Sequence, residues 1–574
     1  MLLTRLEIEN FRGIRSLDLA LGGTTVLIGE NNSGKTTILH ALRACLQYLR
    51  SSGKMPVFDE FDFHLDGVSA DPTTAKPISI TLTFEESKLG EWSEEIERQL
   101  GGDANIVMLM PDDRSRVQLR LTSEFSTVTQ EIDTSFDFLD STGKPLPGKS
   151  RGRLSALQQL RPLFYLSALR DAGKEFSRTS QFWSPFVKNS QITPTKKAEI
   201  EIQLQAINAE IIEAHGTFKD IREHLSKVQD LVALGQHDVV SVDAIPARIF
   251  DMLNRTQVSI ASATGARLPI GKHGEGTQSL TVLMLFDAFL RSELGRKQGV
   301  KDSQPIVALE EPEAHLHPSA VRALWKTIRN IKGQKLIATH SGDLLSEIEV
   351  DSIRRLYRKR NEVCVGTLPP DLLRKKERQK FDFLVRRTRG ELLFARCWLL
   401  GEGETEAILF SGAAEVLGLD LEQAGVRCVE YRQGDIDFFL EAANSLGIAW
   451  HCLTDADTQG LSDVKKARGR VPGIPKREWR HISFLAGATS IEPYLAANGF
   501  LAVYERLASH QMKKNNLTVP KEDPAYPEQI SNCIPEKINA AYAVVEAMRV
   551  GGPASVPPAL KCAVMKAIVL ARRP

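Results

Sequence analysis

Residues Gly29-Glu30-Asn31-Asn32-Ser33-Gly34-Lys35-Thr36 spell G-x-x-x-x-G-K-[ST] between an apolar run, Val26-Leu27-Ile28, and Ile38, Leu39, Ala41, Leu42 and Leu46, which recur at helical spacing. Strand, glycine-rich loop and helix in that order make a phosphate cradle. The glycines let backbone N–H groups turn inward around an anion, and the helix N-terminus adds its partial positive charge. Lys35 is placed to reach the β- and γ-phosphates and the Thr36 hydroxyl to coordinate Mg²⁺. Asn31, Asn32, Ser33 and Thr37 complete the loop, so ATP with Mg²⁺ is the expected ligand. An ordinary glycine-rich turn is the plainer alternative.

Around this loop the composition is that of a globular chain. Its 574 residues have room for two to four domains at about 150 residues each. A net charge of +1 means that any nucleic-acid contact must come from local patches. Seven cysteines without a C-x-x-C pair argue against a zinc site or a disulfide framework and fit a reducing, cytoplasmic setting. The chain opens on an alternating strand, Leu3 to Glu9, and no apolar run approaches about 18 residues, so neither secretion nor membrane spanning is expected.

Leu6, Ile8 and Phe11 alternate with Arg5, Glu7 and Glu9, and Asn10-Phe11-Arg12-Gly13 turns into a second strand near Leu17 to Leu21. Ile78 to Glu85 and Val117 to Thr122 alternate as further strands, with a polar loop from Leu65 to Lys76. After a short strand at Leu163 to Leu166, Ile200, Leu204, Ile207, Ile211, Ile212 and Phe218 fall mostly three or four apart in the proline-free segment Lys196 to Leu234. That is a long amphipathic helical region, packed either on its own domain or on a second copy of the chain. Val239 to Arg255 reads as largely helical.

A second half of a nucleotide site follows. Gly274-Glu275-Gly276-Thr277-Gln278-Ser279 opens an apolar helix, Leu280 to Leu290, whose N-terminus again suits a phosphate. Ile306 to Leu309 is an apolar strand ending in Glu310-Glu311, where Glu310 can hold Mg²⁺ through water and Glu311 can orient an attacking water. Pro312-Glu313-Ala314-His315-Leu316-His317-Pro318 comes next, and the strand Lys335 to Thr339 ends in His340, placed for the γ-phosphate.

In this order the motifs resemble Walker A, signature, Walker B, D-loop and switch histidine of the ABC ATPases. Asn10-Phe11-Arg12 is similar to the branch that contains RecF and the SMC proteins, and adds Arg12 to the nucleotide-binding residues. The resemblance implies that the signature of one subunit caps the ATP of another, hence a homodimer or higher homo-oligomer. One element of the pattern has no clear counterpart, the Q-loop glutamine. The polar cluster Asp59-Glu60-Phe61-Asp62-Phe63-His64 either serves in its place or is a surface loop.

Arg354 to Arg389 holds thirteen Lys/Arg against four acids, a candidate nucleic-acid surface or a solvated helix face. Beyond it, Trp398-Leu399-Leu400 forms an apolar strand that runs into Gly401-Glu402-Gly403-Glu404-Thr405-Glu406, where Glu402 and Glu406 lie one helical turn apart. A second strand, Ile448 to Thr454, ends in Asp455-Ala456-Asp457. Acids at the carboxyl ends of parallel strands stand where an α/β fold places its site. Such a cluster repels itself unless cations neutralise it, and hard carboxylate oxygens select Mg²⁺ or Mn²⁺. Two such ions can clamp the attacking and leaving oxygens of a phosphodiester.

This second pattern resembles the Toprim fold of topoisomerases, DnaG-type primases and the OLD (overcoming lysogenization defect) nucleases, with Glu402 as the Toprim glutamate and Asp455-x-Asp457 as the acidic pair. Leu392-Leu393-Phe394-Ala395 running up to Glu402-Gly403 is similar to the OLD family, class 2 or Gabija-type, in which an ABC ATPase precedes a Toprim nuclease. The resemblance implies Glu492, within Ser490-Ile491-Glu492-Pro493, as a second-metal ligand and Lys561 as the cation that steadies transition-state charge. Gly401 departs from the branched apolar residue usual before the glutamate, and Gly434 in Tyr431-Arg432-Gln433-Gly434 would supply the Toprim glycine turn.

The expected architecture is therefore α/β: an ABC-type ATPase head in residues 1–165 and 241–385, a helical and dimerising insertion at 166–240, and a Toprim domain at 386–574. The expected function is an ATP-regulated, metal-dependent DNA endonuclease. By resemblance its setting would be phage defence or DNA processing, with a UvrD-like helicase as a possible companion. The alternative is a RecF- or SMC-like DNA clamp without significant nuclease activity, against which the missing long coiled-coil arms count: roughly 40 helical residues span only about 60 Å.

Overall fold

The computed structural model describes residues 1–50, 58–67, 71–101, 105–126, 129, 131–167, 192–217, 220–221, 244–246, 248–253, 258–261, 265–291, 303–369, 372, 374–431, 436–470, 478–485 and 490–572. By compactness they fall into two units, residues 1–155 with 334–574, and residues 156–333.

The first unit begins with β1 (Leu2–Phe11), β2 (Ile14–Ala20), β3 (Thr24–Gly29), β4 (Ile78–Glu85), β5 (Met108–Leu109), β6 (Ser115–Ser126) and β7 (Glu131–Phe138). All but β3 form an antiparallel sheet in the order β2-β1-β4-β6-β5, with β7 also on β6. The alternation predicted for β1 is met, since Leu6 and Ile8 are buried while Arg5 and Glu9 are exposed. The strand β7 has the alternation of a half-exposed edge, polar on most positions, which is why no apolar signal marked it in the sequence.

The second unit holds β8 (Leu163–Leu166), β9 (Ser259–Ala261), β10 (Arg267–Pro269) and β11 (Ile306–Glu310), with β11 parallel to β8. Its helix Pro194–Ala214 starts where Thr193 accepts a hydrogen bond from the Lys196 N–H and Pro194 presets the first turn. Leu204 and Ile212 are buried as the helical spacing predicts, whereas Ile207 is exposed. Residues 218–219 and 222–234 of the helical region lie outside the described residues, as do 239–243, 247 and 254–255 of the segment Val239 to Arg255, in which a short helix spans Ile249–Leu253.

The first unit resumes with β12 (Gln334–Ala338), β13 (Ile353–Lys359) and β14 (Glu362–Thr367). Strands β12 and β13 flank β3 in parallel, with Ala338 opposite Leu27 and Leu356 opposite Gly29, and β14 closes antiparallel on β13. About a third of the basic stretch Arg354 to Arg389 is thus sheet and not a solvated face: Arg355 is buried. A separate four-stranded parallel sheet follows, β15 (Cys397–Gly401), β16 (Val426–Glu430), β17 (Ala449–Thr454) and β18 (Ile482–Phe484), in the order β16-β15-β17-β18. Its central strands β15 and β17 are buried along nearly their whole length because helices cover both faces. Leu399 and Leu453 face a core built with the helices Glu404–Val416, Lys537–Gly551 and Pro558–Ala571. On the other side Trp398 packs with Phe381 and, through it, with Phe438.

Candidate functional site

The loop Gly29–Thr36 leaves β3 and enters the helix Lys35–Arg43. Lys35 is buried, and its Nζ donates to the carbonyls of Gly29 at 2.9 Å and Glu30 at 2.8 Å and to Ser33 Oγ at 3.4 Å. The ammonium is therefore folded into the loop it belongs to, the place from which it can meet a phosphate. Asn31, Asn32 and Thr36 are exposed around it, and Gly34 and Thr37 are half-buried. His340 is exposed just beyond β12, the parallel neighbour of β3, so it stands at the same carboxyl edge as the loop. Arg12 is held by Asp62, Nε to Oδ1 at 2.7 Å, and its carbonyl meets His64 Nδ1 at 2.7 Å. Much of the Asp59–His64 cluster thus buttresses the Arg12 turn, while Phe61 points to solvent.

In the second unit Glu310 ends β11 and hydrogen-bonds the Tyr165 hydroxyl, a partner the sequence does not announce. Glu311 follows in the left-handed region at φ 43°, a conformation that costs free energy for a residue with a Cβ and clusters at functional positions. The helix Glu275–Arg291 opens with the Gly274 carbonyl accepting from the N–H groups of Thr277 and Gln278. Glu275 pairs with His315 at 2.8 Å, tying the start of that helix, with Gly276, to the turn after β11.

The carboxylates converge at the carboxyl edge of the second sheet. Glu402 follows β15. Glu406 sits in the first turn of the helix Glu404–Val416, 6 % exposed, and its Oε2 accepts from the Gly403 N–H at 2.8 Å. The helix comes this close because residue 401 is glycine: a Cβ there would lie 2.5 Å from the Glu406 Cβ. This accounts for the departure from a branched residue at that position. Asp455 follows β17, 8 % exposed, and the helix Thr458–Arg470 crosses it so closely that a Cβ on Gly460 would stand 2.0 Å from the Asp455 carbonyl oxygen. Asp457 is exposed and accepts from the Gly460 N–H at 2.7 Å.

Glu492 lies in the first turn of the helix Ile491–Leu495, is 5 % exposed, and pairs with Lys537 Nζ at 2.9 Å. Lys561 is exposed in the first turn of Pro558–Ala571, a helix whose Ala559 N–H donates to Tyr494 Oη, two residues from Glu492. Of the proposed glycine turn, Tyr431 is buried and residues 432–434 lie outside the described residues.

These acids lie near enough to act on one another's charge. Burial, then Glu406, Glu402, Glu492 and Asp457, push Asp455 up to about 8. Burial, and less strongly Glu492 and Glu402, push Glu406 up to about 7 against the lowering effect of the N–H groups at its helix start. Among the described residues no group of three or more His, Cys, Asp or Glu is placed to hold a metal ion. The chemistry of the donors is nevertheless that preferred by hard divalent cations: all five are carboxylates, and a bound cation would offset the burial and like charge that raise Asp455 and Glu406.

Three arginines lie around the phosphate loop and the second sheet, and one of them, Arg396, joins the two. Arg355 of β13 donates to four carbonyls: Nε to Leu393 at 3.0 Å, Nη2 to Ala395 at 2.7 Å, and Nη1 to Leu446 at 3.1 Å and Gly447 at 3.2 Å. Burial lowers it to about 10, so it remains charged at neutral pH. Arg396, which leads into β15, grips Glu30 of the phosphate loop with both Nε and Nη2, the latter at 3.0 Å. Arg358 donates to the Asn32 carbonyl at 3.3 Å. No motif announced these contacts; the lone signal was an excess of arginine.

Residues 1–391 match the family described as "Protein of unknown function (DUF2813)", and residues 393–457 match "Overcoming lysogenization defect protein-like, TOPRIM domain". The "Uncharacterized protein YbjD" of Escherichia coli (strain K12) is 29 % identical over 585 residues, covering 100 % of this chain and 99 % of that one. The "OLD nuclease" of Thermus scotoductus is 25 % identical over 480 residues, 80 % of this chain and 83 % of its own. The "Endonuclease GajA" of Bacillus cereus is 22 % identical over 490 residues, 82 % and 76 % respectively.

Proposed function

We propose a function for a chain that belongs to the DUF2813 family and is an OLD-family protein: an ABC-ATPase-like head with a helical insertion, followed by a Toprim α/β domain. The reading is a DNA endonuclease that hydrolyses a phosphodiester at the Toprim carboxylates under control of ATP at the head. The observation that carries it is that Glu402 and Asp455 follow the ends of adjacent parallel strands with Glu406 in the helix just beyond, Asp455 and Glu406 being raised first by burial and then by neighbouring acids.

Glu402, Glu406, Asp455, Asp457 and Glu492 would hold Mg²⁺ or Mn²⁺. Bound there, such ions would supply an acidified water and neutralise charge on the phosphate and the leaving oxygen. The chain's own part is to aim the ligands. The Gly403 N–H holds Glu406 and the Gly460 N–H holds Asp457, so neither carboxylate must be reordered when charge develops. In the proposed step water would add to phosphorus as it gives up a proton to solvent, the bond to the departing sugar oxygen would break and that oxygen take up a proton, and Lys561 would offer an ammonium to the charge that builds there. At the head, Lys35, Thr36, Gly29 and Gly34 receive ATP with Mg²⁺, Glu310, Glu311 and His340 serve its hydrolysis, and Gly274, Gly276 and Gln278 cap the nucleotide of a second copy in a homodimer. Control reaches the Toprim sheet through the Glu30–Arg396 pair and Arg355.

Supercoiled plasmid incubated with Mg²⁺ or Mn²⁺, with and without ATP, tests this beside Glu402→Ala and Asp455→Ala. Cutting by the parent chain and none by the variants is expected; plasmid left intact under every cation, or variants that cut equally well, would overturn the reading. Lys35→Ala should lose ATP turnover and keep the metal site competent, and unchanged ATP sensitivity of cutting in that variant would remove the coupling. The clamp alternative gains from one observation, that the described acids do not yet enclose a metal, and it predicts DNA binding without cleavage in the same assay. Phage defence, and a UvrD-like companion, rest on resemblance and are tested by infection of cells with and without the gene.

A further inference from the structure

The helix Lys375–Arg387 buries Phe381, Leu384 and Val385 on one side, with Phe381 edge-on to Phe438 at 5.6 Å and tilted on Trp398 at 6.4 Å. That packing fixes which face looks outward. Positions i, i+4, i+7 and i+11 of a helix share a stripe. Here they are Lys376, Lys380, Phe383 and Arg387, all exposed, with Arg386 beside them. Phe383 is 58 % exposed in the middle of the stripe, whereas the next two positions, Leu384 and Val385, are buried. At the C-terminal end Arg387 Nη2 donates to Glu430 at 3.1 Å. Glu430 ends β16 and stands opposite Gly401, the residue before Glu402. The stripe, about 16 Å long at about 1.5 Å per residue, therefore ends beside the strand that delivers the Toprim glutamate.

Cations alone would fit any polyanion, but an exposed ring between them adds a preference. A ring gains from stacking on a base, and only an unpaired base offers it a free face; in duplex the faces are already stacked. We propose that Lys376, Lys380, Phe383 and Arg387 form a docking stripe for single-stranded nucleic acid, with Phe383 stacking on an unpaired base and the strand directed toward Glu402. The stripe selects frayed ends, gaps or loops over closed duplex. Only the direction of travel rests on the nuclease reading; the binding does not.

Binding is measured on the full chain in EDTA, where no cutting confuses it, with labelled single-stranded and duplex oligonucleotides of about 20 nucleotides. Phe383→Ala should weaken the single strand about tenfold and the duplex less than about twofold. Lys376→Ala with Lys380→Ala should flatten the salt dependence of single-strand binding by about 1.4 in log–log slope, about 0.7 for each cation. Phe383→Trp should keep the affinity, and its added fluorescence should be quenched by the single strand, which a merely structural role would not produce. Equal losses for both oligonucleotides, an unquenched Trp, or equal affinity for polyglutamate would overturn the proposal. If these results fail while Asp455→Ala still abolishes plasmid cutting, this stripe alone is lost; if cutting fails while binding behaves as expected, the stripe stands without the nuclease.

Discussion

Replacing Asp455 by Asn should stabilise the cation-free protein and abolish its response to divalent ions. The folded Asp455 carboxyl titrates near 8, raised first by burial and then by its four acidic neighbours, against an ordinary value of about 3.9 in the unfolded chain. Between those two values the folded chain holds a proton that the unfolded chain has released, so this group lowers stability progressively as pH rises through the window, and its full cost is reached above about 8. At about pH 7.5 the whole shift would correspond to about 5 kcal/mol; because Asp455 is partly reached by solvent and shares its repulsion with Glu406, about 2 kcal/mol is the figure to expect. For a domain of this size that is a rise in Tm of about 5 °C on Asp455→Asn. The assay is thermal unfolding by circular dichroism in EDTA at about pH 7.5 and about pH 5, where the difference should shrink below about 1 kcal/mol. Added Mg²⁺ or Mn²⁺ should raise the Tm of the parent chain and leave the variant unmoved. An Asn variant that melts at or below the parent at the higher pH, or that still answers to the cation, would show that the acids do not share one site.

His451 gives a pH effect of the opposite sign. It is fully buried between the Arg480 carbonyl and Ser483 Oγ, and burial, opposed by the Arg480 carbonyl, pushes it down to about 3; its stability contribution is present above about 6.5 and is lost as pH falls toward 3. His451→Gln should therefore flatten the acid limb of the melting profile by about 2 kcal/mol at about pH 5, and an unchanged difference between the two proteins across pH would refute it. Gly401→Ala puts a Cβ 2.5 Å from that of Glu406; a loss of about 1–3 kcal/mol with a drop in cleavage of about a hundredfold is expected in calorimetry and plasmid cutting, and a neutral variant would mean the strand end has room. Arg355→Met leaves the carbonyls of Leu393, Ala395, Leu446 and Gly447 without their donor and should cost about 3 kcal/mol or more, with faster proteolysis around Leu393. Arg355→Lys should rescue little, because an ammonium cannot span the four acceptors, and a Lys variant as stable as the parent would refute the fork geometry.

Much of this protein was legible from local pattern. The phosphate loop, the strands that deliver Glu402 and Asp455, and the helix that carries Glu406 each announce themselves within about ten residues, because the periods of strand and helix and the needs of tight turns are written into short windows. Strand β7 was missed since its residues are mostly polar, and the β13–β14 hairpin was hidden in a basic stretch whose charge suggested solvent. Arg355 shows why: a guanidinium can be buried when carbonyls surround it, and those carbonyls come from residues 393–395 and 446–447.

What only the tertiary structure decided are relations across long sequence distance. Glu30 and Arg396 lie 366 residues apart and form a two-pronged pair; Glu492 meets Lys537; Gly401 is small because of Glu406; and Phe383 faces outward because Phe381 faces Trp398. Residue type sets what a side chain can do, and the local period sets the face it takes on its own element. Which partner it meets, and therefore its charge state and its role, depends on how elements distant in sequence pack, and no short window records that.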